Sequence, residues 1–158
     1  MKYKAVLFGS IGTIIETSEI QRKSFNDAFK EAGLDWYWDE TDYKNLLQKS
    51  GGSKRIEDFA QKNNSKVDSS KIRLRKTEIF NKYLLDGSFE PREGVLEIIN
   101  YAKVNGLKLG FVTSTTTNNI NAVFSALKNF ILKDDFDFIG NNNLINKPKP
   151  NGEIYYKA

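Results

Sequence analysis

The side chains that could take part in catalysis are concentrated in three short loops. The residues in question are Ser10, Thr13, Thr113, Ser114 and Lys147. A hydroxyl becomes a nucleophile only when a neighbouring base removes its proton. The sequence holds no His that could be that base, and the ammonium group of Lys147 is better suited to an electrostatic role. Nucleophilic catalysis by these hydroxyls is therefore not the favoured interpretation.

Composition excludes several further kinds of site. Without Cys or His, the chain has no disulfides, no thiolate or imidazole metal sites and no Ser-His-Asp triad. The net charge is +4, and the most basic stretch, Lys71 to Lys76, covers more than one helix face. A small net charge, and basic residues spread over more than one helix face, favour a solvated helix over a nucleic-acid-binding surface. No targeting or membrane-spanning segment is visible, so we expect a cytoplasmic protein with no nucleic-acid or membrane partner.

The loops follow apolar runs that predict buried strands of a parallel sheet. The predicted strands are Ala5–Phe8, Leu107–Val112 and Phe136–Ile139. Between the first two strands, apolar residues recur at helical spacing. These patterns predict an α/β domain formed by residues 1–16 and 88–158, interrupted by a helical insert at 17–87. Because ligands bind at the carboxyl ends of parallel strands, all three loops should lie at the same sheet edge.

Three motifs in the right order resemble those of the haloacid dehalogenase superfamily. Phe8 to Thr13 occupies its first motif, Phe-Asp-x-Asp-Gly-Thr; Phe111 to Ser114 resembles the second, and Lys147 to Pro150 the third. Segments of the helical insert resemble the cap of the CbbY-like and β-phosphoglucomutase-like branch. The resemblance implies a Rossmann-like core with a parallel sheet and an inserted α-helical cap, and phosphatase chemistry as its activity.

The first motif departs from the family at both catalytic positions. In the family the first Asp attacks phosphorus and the second moves protons, but this chain has Gly9 and Ile11 there. A fourth, acidic motif that completes the Mg²⁺ site in the family is absent before Ala158. Only the backbone carbonyl of Ile11 remains as a ligand, whereas hard cations need several oxygens. We therefore predict a catalytically impaired relative with no catalytic residue assigned and no metal site.

The resemblance also implies a phosphate-binding site that survives these losses. Its predicted donors are the backbone N–H groups of Ser10 and Ile11 and the side chains of Thr113, Ser114 and Lys147. Without the two carboxylates, a phosphate meets less repulsion there and needs no Mg²⁺. We therefore predict binding of phosphate or a phosphorylated small molecule.

A second anion-binding group is predicted in the cap. By resemblance to enzymes that act on sugar bisphosphates, Arg55, Lys76 and Lys54 could contact a second anionic group of the ligand. The alternative for each is an exposed residue on a solvated helix face.

Two other functions remain open at this stage. One is an active Mg²⁺-dependent phosphatase or phosphomutase-like enzyme that uses unrecognised residues. The other is an interaction or self-assembly module, because a sheet without the fourth-motif strand leaves Ala5–Phe8 as an exposed apolar edge. The final helix is interrupted at Ala158, so we also expect the natural protein to be longer.

Overall fold

The computed structural model describes residues 3–48 and 51–158, which form three strands and seven α-helices. Two short 3₁₀ turns lie at Lys133–Asp135 and Asn142–Leu144. In chain order the regular elements are β1 (Ala5–Phe8), α1 (Ser18–Glu31), α2 (Glu40–Leu46), α3 (Gly52–Lys62), α4 (Ser69–Asp86), α5 (Val95–Val104), β2 (Lys108–Val112), α6 (Thr117–Ala126), β3 (Phe138–Gly140) and α7 (Glu153–Lys157). None of the described helices has the length and apolarity needed to span a membrane.

The described residues belong to two compact units. We call residues 1–17 and 84–158 the sheet unit and residues 18–83 the helical unit. The sequence predicted a helical insert at 17–87, and the helical unit spans Ser18–Tyr83, which leaves the last residues of α4 in the sheet unit.

The sheet unit is built on a parallel sheet with strand order β1-β2-β3. Phe8 lies opposite Phe111, and Val112 lies opposite Gly140, so the loops after β1, β2 and β3 leave the sheet at the same edge. The predicted α/β fold with a parallel sheet is thereby confirmed. A parallel arrangement places the residues after each strand where a common ligand can be bound.

The third strand starts two residues later than the sequence predicted. Asp137 explains the difference, because its carboxylate accepts the backbone N–H of Leu109 at 2.9 Å while its own N–H donates to Leu109 O at 2.8 Å. The regular ladder begins only at the pair Gly110 and Phe138. Phe136 lies outside the strand but is buried, with its ring edge-on to Phe111 at 5.8 Å.

The helical unit has a core of aromatic side chains around Trp38. This side chain is fully buried, and its ring centroid lies 4.8 Å from that of Phe25 and 4.7 Å from that of Phe29. Asn26 fixes the backbone at this position, since its amide accepts the N–H of Trp38 and donates to the Trp38 carbonyl, both at 2.9 Å. The next residue, Asp39, caps α2 by accepting the N–H of Asp42.

We predict that Trp38→Ala destabilises the protein by about 3–5 kcal/mol, because it opens a large cavity in this core. The adjacent Tyr37 is 65% exposed, so Tyr37→Ala is a matched control that should cost less than about 1 kcal/mol. Chemical denaturation of the three proteins measures both changes. Equal effects at the two positions would show that the core is not centred on Trp38.

Candidate functional site

The loop after β1 presents two backbone N–H groups that no loop hydrogen bond uses. Gly12, at φ +77°, donates to Ile15 O at 2.7 Å, while Thr13 and Ile14 both donate to Ser10 O. Within residues 3–48 and 51–158, no backbone hydrogen bond is donated by Ser10 or Ile11. These two groups are therefore available to an anion, as the predicted phosphate site requires.

The side chain of Ser10 adds a buried hydroxyl to this loop. The residue is 7% exposed, and its Oγ has no hydrogen-bond partner among the described residues. A buried polar atom without a partner costs about 1–3 kcal/mol. A bound oxyanion would accept the hydroxyl proton and remove that cost.

The side chain of Thr13 lies close in space to Gly9, the residue at the family's nucleophile position. A Cβ atom built on Gly9 would lie 2.8 Å from Thr13 Oγ1 and 3.4 Å from Thr13 Cβ. The Thr13 side chain therefore occupies space next to the position that a carboxylate side chain at residue 9 would take. The first loop offers hydroxyl and amide donors in place of a nucleophile.

The predicted hydroxyls after β2 are both held in place by backbone contacts. Thr113 is buried; its N–H donates to Gly140 O at 3.1 Å, and its Oγ1 accepts from Thr115 N at 3.3 Å. Ser114 Oγ accepts from Lys149 N at 2.8 Å. Because each hydroxyl is used here as an acceptor, its own O–H remains available as a donor.

The lysine that reaches the end of β2 is Lys149. Its Nζ donates to Val112 O at 2.8 Å and lies 5.0 Å from the ring centre of Tyr155. Lys147, which the sequence analysis assigned to phosphate binding, is exposed, and its backbone N–H donates to Glu153 Oε2 at 2.9 Å. The hydrogen bonds from Lys147 and Asn146 lower the pKa of Glu153, which keeps this carboxylate charged. The role of Lys147 remains a prediction to be tested against Lys149.

The residues of the sheet edge do not fit a Mg²⁺ ion. Gly9 and Ile11 supply no carboxylate, and Glu16 pairs with Arg92 at 2.8 Å. In the described part of the chain, no three Asp, Glu, His or Cys side chains are grouped closely enough to hold a metal. Hard divalent cations need several oxygen ligands, and these residues do not provide them.

The helical unit contains a separate cluster of cations around Lys76. This residue is 6% exposed; its ammonium donates to Gln21 Oε1 and lies 4.8 Å and 4.7 Å from the ring centres of Phe25 and Phe80. Burial first, then the charges of Arg73 and Arg55, lower the pKa of Lys76 to about 7. A free amine is thus a major form of this lysine at neutral pH.

Of the three predicted cap residues, the structure brings two together. Arg55 and Lys76 both lie over the ring of Phe25, 6.0 Å and 4.8 Å from its centre, and Arg55 Nε donates to Leu46 O at 2.9 Å. Lys54 is exposed and pairs with Asp58 at 3.2 Å. Sequence reasoning missed Arg73, whose side chain packs against Gly52. A Cβ on Gly52 would lie 2.8 Å from Arg73 Cδ, so the contact requires a glycine at this position. The glycine is therefore the feature of the sequence that could have indicated a close contact here.

We predict that stability depends on pH through Lys76. Its pKa is about 7 in the folded chain, below the ordinary value of 10.5, so between these values the unfolded chain holds one more proton. Stability should therefore rise with pH in that window, by up to about 1.4 kcal/mol per pH unit. The Lys76→Met substitution removes this titratable amine. The variant should be more stable than the parent near pH 7, and its advantage should shrink towards pH 10. Urea unfolding across that range measures the difference, and a constant difference would contradict the prediction.

A parallel sheet unit interrupted in the chain by a helical unit, with polar loops at the carboxyl ends of the strands, defines an α/β protein of the kind that binds ligands at that edge. The chain belongs to the haloacid dehalogenase-like hydrolase family, whose model matches residues 6–158. The predicted superfamily is thereby confirmed. Protein CbbY of Rhodobacter capsulatus is 34% identical over 161 residues, which cover 100% of this chain and 71% of the relative. Protein CbbY of Cereibacter sphaeroides is 34% identical over 98% of this chain and 69% of its own length.

Solved structures show the same relationship. CbbY from Rhodobacter sphaeroides, crystallised in complex with phosphate, matches with a TM-score of 0.85 at 32% identity, over 99% of this chain and 71% of that one. A mutant of the same protein in complex with xylulose-(1,5)bisphosphate matches with a TM-score of 0.84 at 33% identity and the same coverage. A β-phosphoglucomutase-like structure from Thermotoga maritima, at 18% identity and a TM-score of 0.70, shows the fold alone.

Proposed function

We propose that the sheet unit binds the phosphoryl group of a phosphorylated small molecule without a metal ion, and that it does not hydrolyse it. The observation that carries this proposal is the buried hydroxyl of Ser10, which has no partner among the described residues, in a loop whose Ser10 and Ile11 N–H groups donate no backbone hydrogen bond to them. The phosphate bound by the related CbbY structure supports the choice of ligand.

The donors that we assign to this site come from all three loops. Ser10 and Ile11 contribute N–H groups, Ser10, Thr113 and Ser114 contribute hydroxyls, and Lys149 contributes the positive charge. Such a set can neutralise and orient a phosphoryl group. Turnover also needs a nucleophile and a proton carrier, and the side chains of Gly9 and Ile11 can supply neither.

For the ligand class we propose a sugar phosphate. The related structure holds a sugar bisphosphate, and the helical unit of this chain carries its own cationic cluster of Arg55, Arg73 and Lys76. We propose that this cluster binds a phosphoryl group as well.

The phosphate-induced shift in unfolding temperature, compared between the parent chain and the Lys149→Met variant, tests the proposed function of the sheet unit, because the variant should lose most of that shift. A ligand at 100 times its dissociation constant stabilises a protein by about 2.7 kcal/mol. We expect phosphate to raise the unfolding temperature equally in EDTA and in Mg²⁺, and sodium chloride at the same ionic strength to leave it unchanged. A shift that appears only with Mg²⁺, or no shift at all, would contradict the proposal.

A second candidate function, self-association through β1, is supported by the exposure of that edge. In the described sheet β1 pairs with β2 alone, and its Leu7 and the nearby Ile11 are 40% and 38% exposed. Unpaired apolar strand edges recruit further strands. Light scattering over a range of concentrations should then show dimers that Leu7→Lys abolishes, and a constant monomer mass would exclude this function.

A further inference from the structure

Lys76 is buried among groups that cannot neutralise its charge. From α1 it is faced by the Gln21 amide and the Phe25 ring, and from its own helix, α4, by the Phe80 ring. Amide oxygens and ring faces attract an ammonium ion, but they carry no net negative charge. Within the described part of the chain, the side chain is therefore an amine in an apolar setting with one strong acceptor, the Gln21 amide oxygen.

The charged groups around Lys76 make protonation of its amine unfavourable. Arg55 on α3 and Arg73 on α4 both repel its positive charge. The Arg55 guanidinium lies 5.9 Å from the ring centre of Tyr43 on α2. Burial raises the pKa of the Tyr43 phenol, so this side chain stays neutral and supplies no negative charge. None of the groups that shift the pKa of Lys76 is a carboxylate. Among the described residues, no carboxylate therefore acts on Lys76 to stabilise its charged form.

We propose that binding of a dianion to the cluster of Arg55, Arg73 and Lys76 is coupled to the uptake of one proton by the Lys76 amine. This inference rests on the proposed function, in which the cluster binds a phosphoryl group. The free protein holds Lys76 as R–NH₂ above neutral pH, and the complex holds it as R–NH₃⁺ with the proton taken from solvent. The bound dianion places an opposite charge next to Lys76, which favours the protonated form of its amine.

Because of this coupling, the affinity for anions should fall as the pH rises. Below about pH 7 the lysine is already charged, and binding takes up no proton. Above that pH each unit of increase should raise the dissociation constant up to about tenfold, because one proton must be taken up per anion. The helical unit therefore binds anions most tightly on the acidic side of neutrality and releases them as the pH rises.

Sulfate is the appropriate probe, because it stays dianionic throughout this range and phosphate does not. We would titrate sulfate by calorimetry into the full chain carrying Lys149→Met, which weakens the sheet-unit site. Two buffers of different ionisation enthalpy report the number of protons taken up. We expect close to one proton at pH 8.5 and close to none at pH 5.5, with a corresponding loss of affinity at the higher pH.

Two further variants distinguish the effect of a positive charge at residue 76 from the effect of proton uptake there. Lys76→Arg carries a fixed charge and should bind sulfate with the same affinity at both pH values and without proton uptake. Lys76→Met should lose most of the binding, and its unfolding curve checks that it is folded. Sulfate binding without proton uptake at pH 8.5 would overturn the coupling and leave the proposed function intact. Absence of sulfate binding in the Lys149→Met chain would overturn the anion role of the helical unit, while phosphate binding by the parent chain still tests the sheet unit.

Discussion

Replacing Lys149 with methionine should weaken phosphate binding by about 30- to 100-fold, equivalent to about 2–3 kcal/mol. Methionine keeps most of the length of the side chain and removes its charge. The ammonium group lies at the carboxyl end of β2, 2.8 Å from Val112 O, and is the cation that the third loop brings to the sheet edge. Equilibrium titration with phosphate in EDTA measures the effect. The variant also leaves Val112 O without this donor, so its unfolding free energy must be measured separately.

Lys147→Met is the matched control for this experiment. Lys147 is exposed, and the contact that the structure gives it, from its backbone N–H to Glu153, survives the substitution. We therefore expect its phosphate affinity to change less than about twofold, in keeping with the small value of exposed charges. The opposite pattern, with loss in Lys147→Met and none in Lys149→Met, would restore the assignment made from the sequence.

The second large effect should come from returning carboxylates to the first loop. The double variant Gly9→Asp, Ile11→Asp should lose at least about 100-fold in phosphate affinity in EDTA. Two unit charges about 4 Å apart interact by about 4 kcal/mol at an effective dielectric constant of 20, so even one carboxylate beside the phosphate accounts for such a loss. Added Mg²⁺ should recover part of the affinity, because the new carboxylates can bind the cation.

The neutral double variant Gly9→Asn, Ile11→Asn separates charge from shape. Any side chain at residue 9 must displace Thr13, whose Oγ1 lies 2.8 Å from the position of the new Cβ. Asparagine imposes the same steric change as aspartate and adds no charge. If the two double variants lose phosphate equally and neither responds to Mg²⁺, the loss is steric, and the charge argument for metal-free binding is wrong.

The sequence predicted the strands because their apolar runs are short, continuous and followed by small residues. It placed the start of the third strand too early, because Phe136 continues the apolar run, whereas its neighbour Asp137 uses its carboxylate to bind Leu109 N. Side-chain capping of a backbone group competes with the strand ladder locally, and a hydropathy pattern does not register it.

The positions of the lysines could not be predicted to the same degree. Lys147 and Lys149 both precede a proline, so composition and spacing treat them alike. Only the path of the loop, fixed by Ser114 Oγ accepting the Lys149 N–H at 2.8 Å, brings Lys149 to the strand end. Likewise Lys76 stands in a basic stretch typical of a solvated face, yet it is buried in the helical unit, because Phe25, Phe80 and Gln21 surround it.

We propose that this member of a hydrolase family binds a phosphorylated ligand and leaves it intact. Release of inorganic phosphate from xylulose 1,5-bisphosphate, measured with stoichiometric protein and Mg²⁺, tests this claim most directly. The predicted result is no release above the protein-free control, while titration in the same buffer shows that the ligand is bound. Mg²⁺-dependent release that disappears in the Lys149→Met variant would contradict it and establish an active hydrolase.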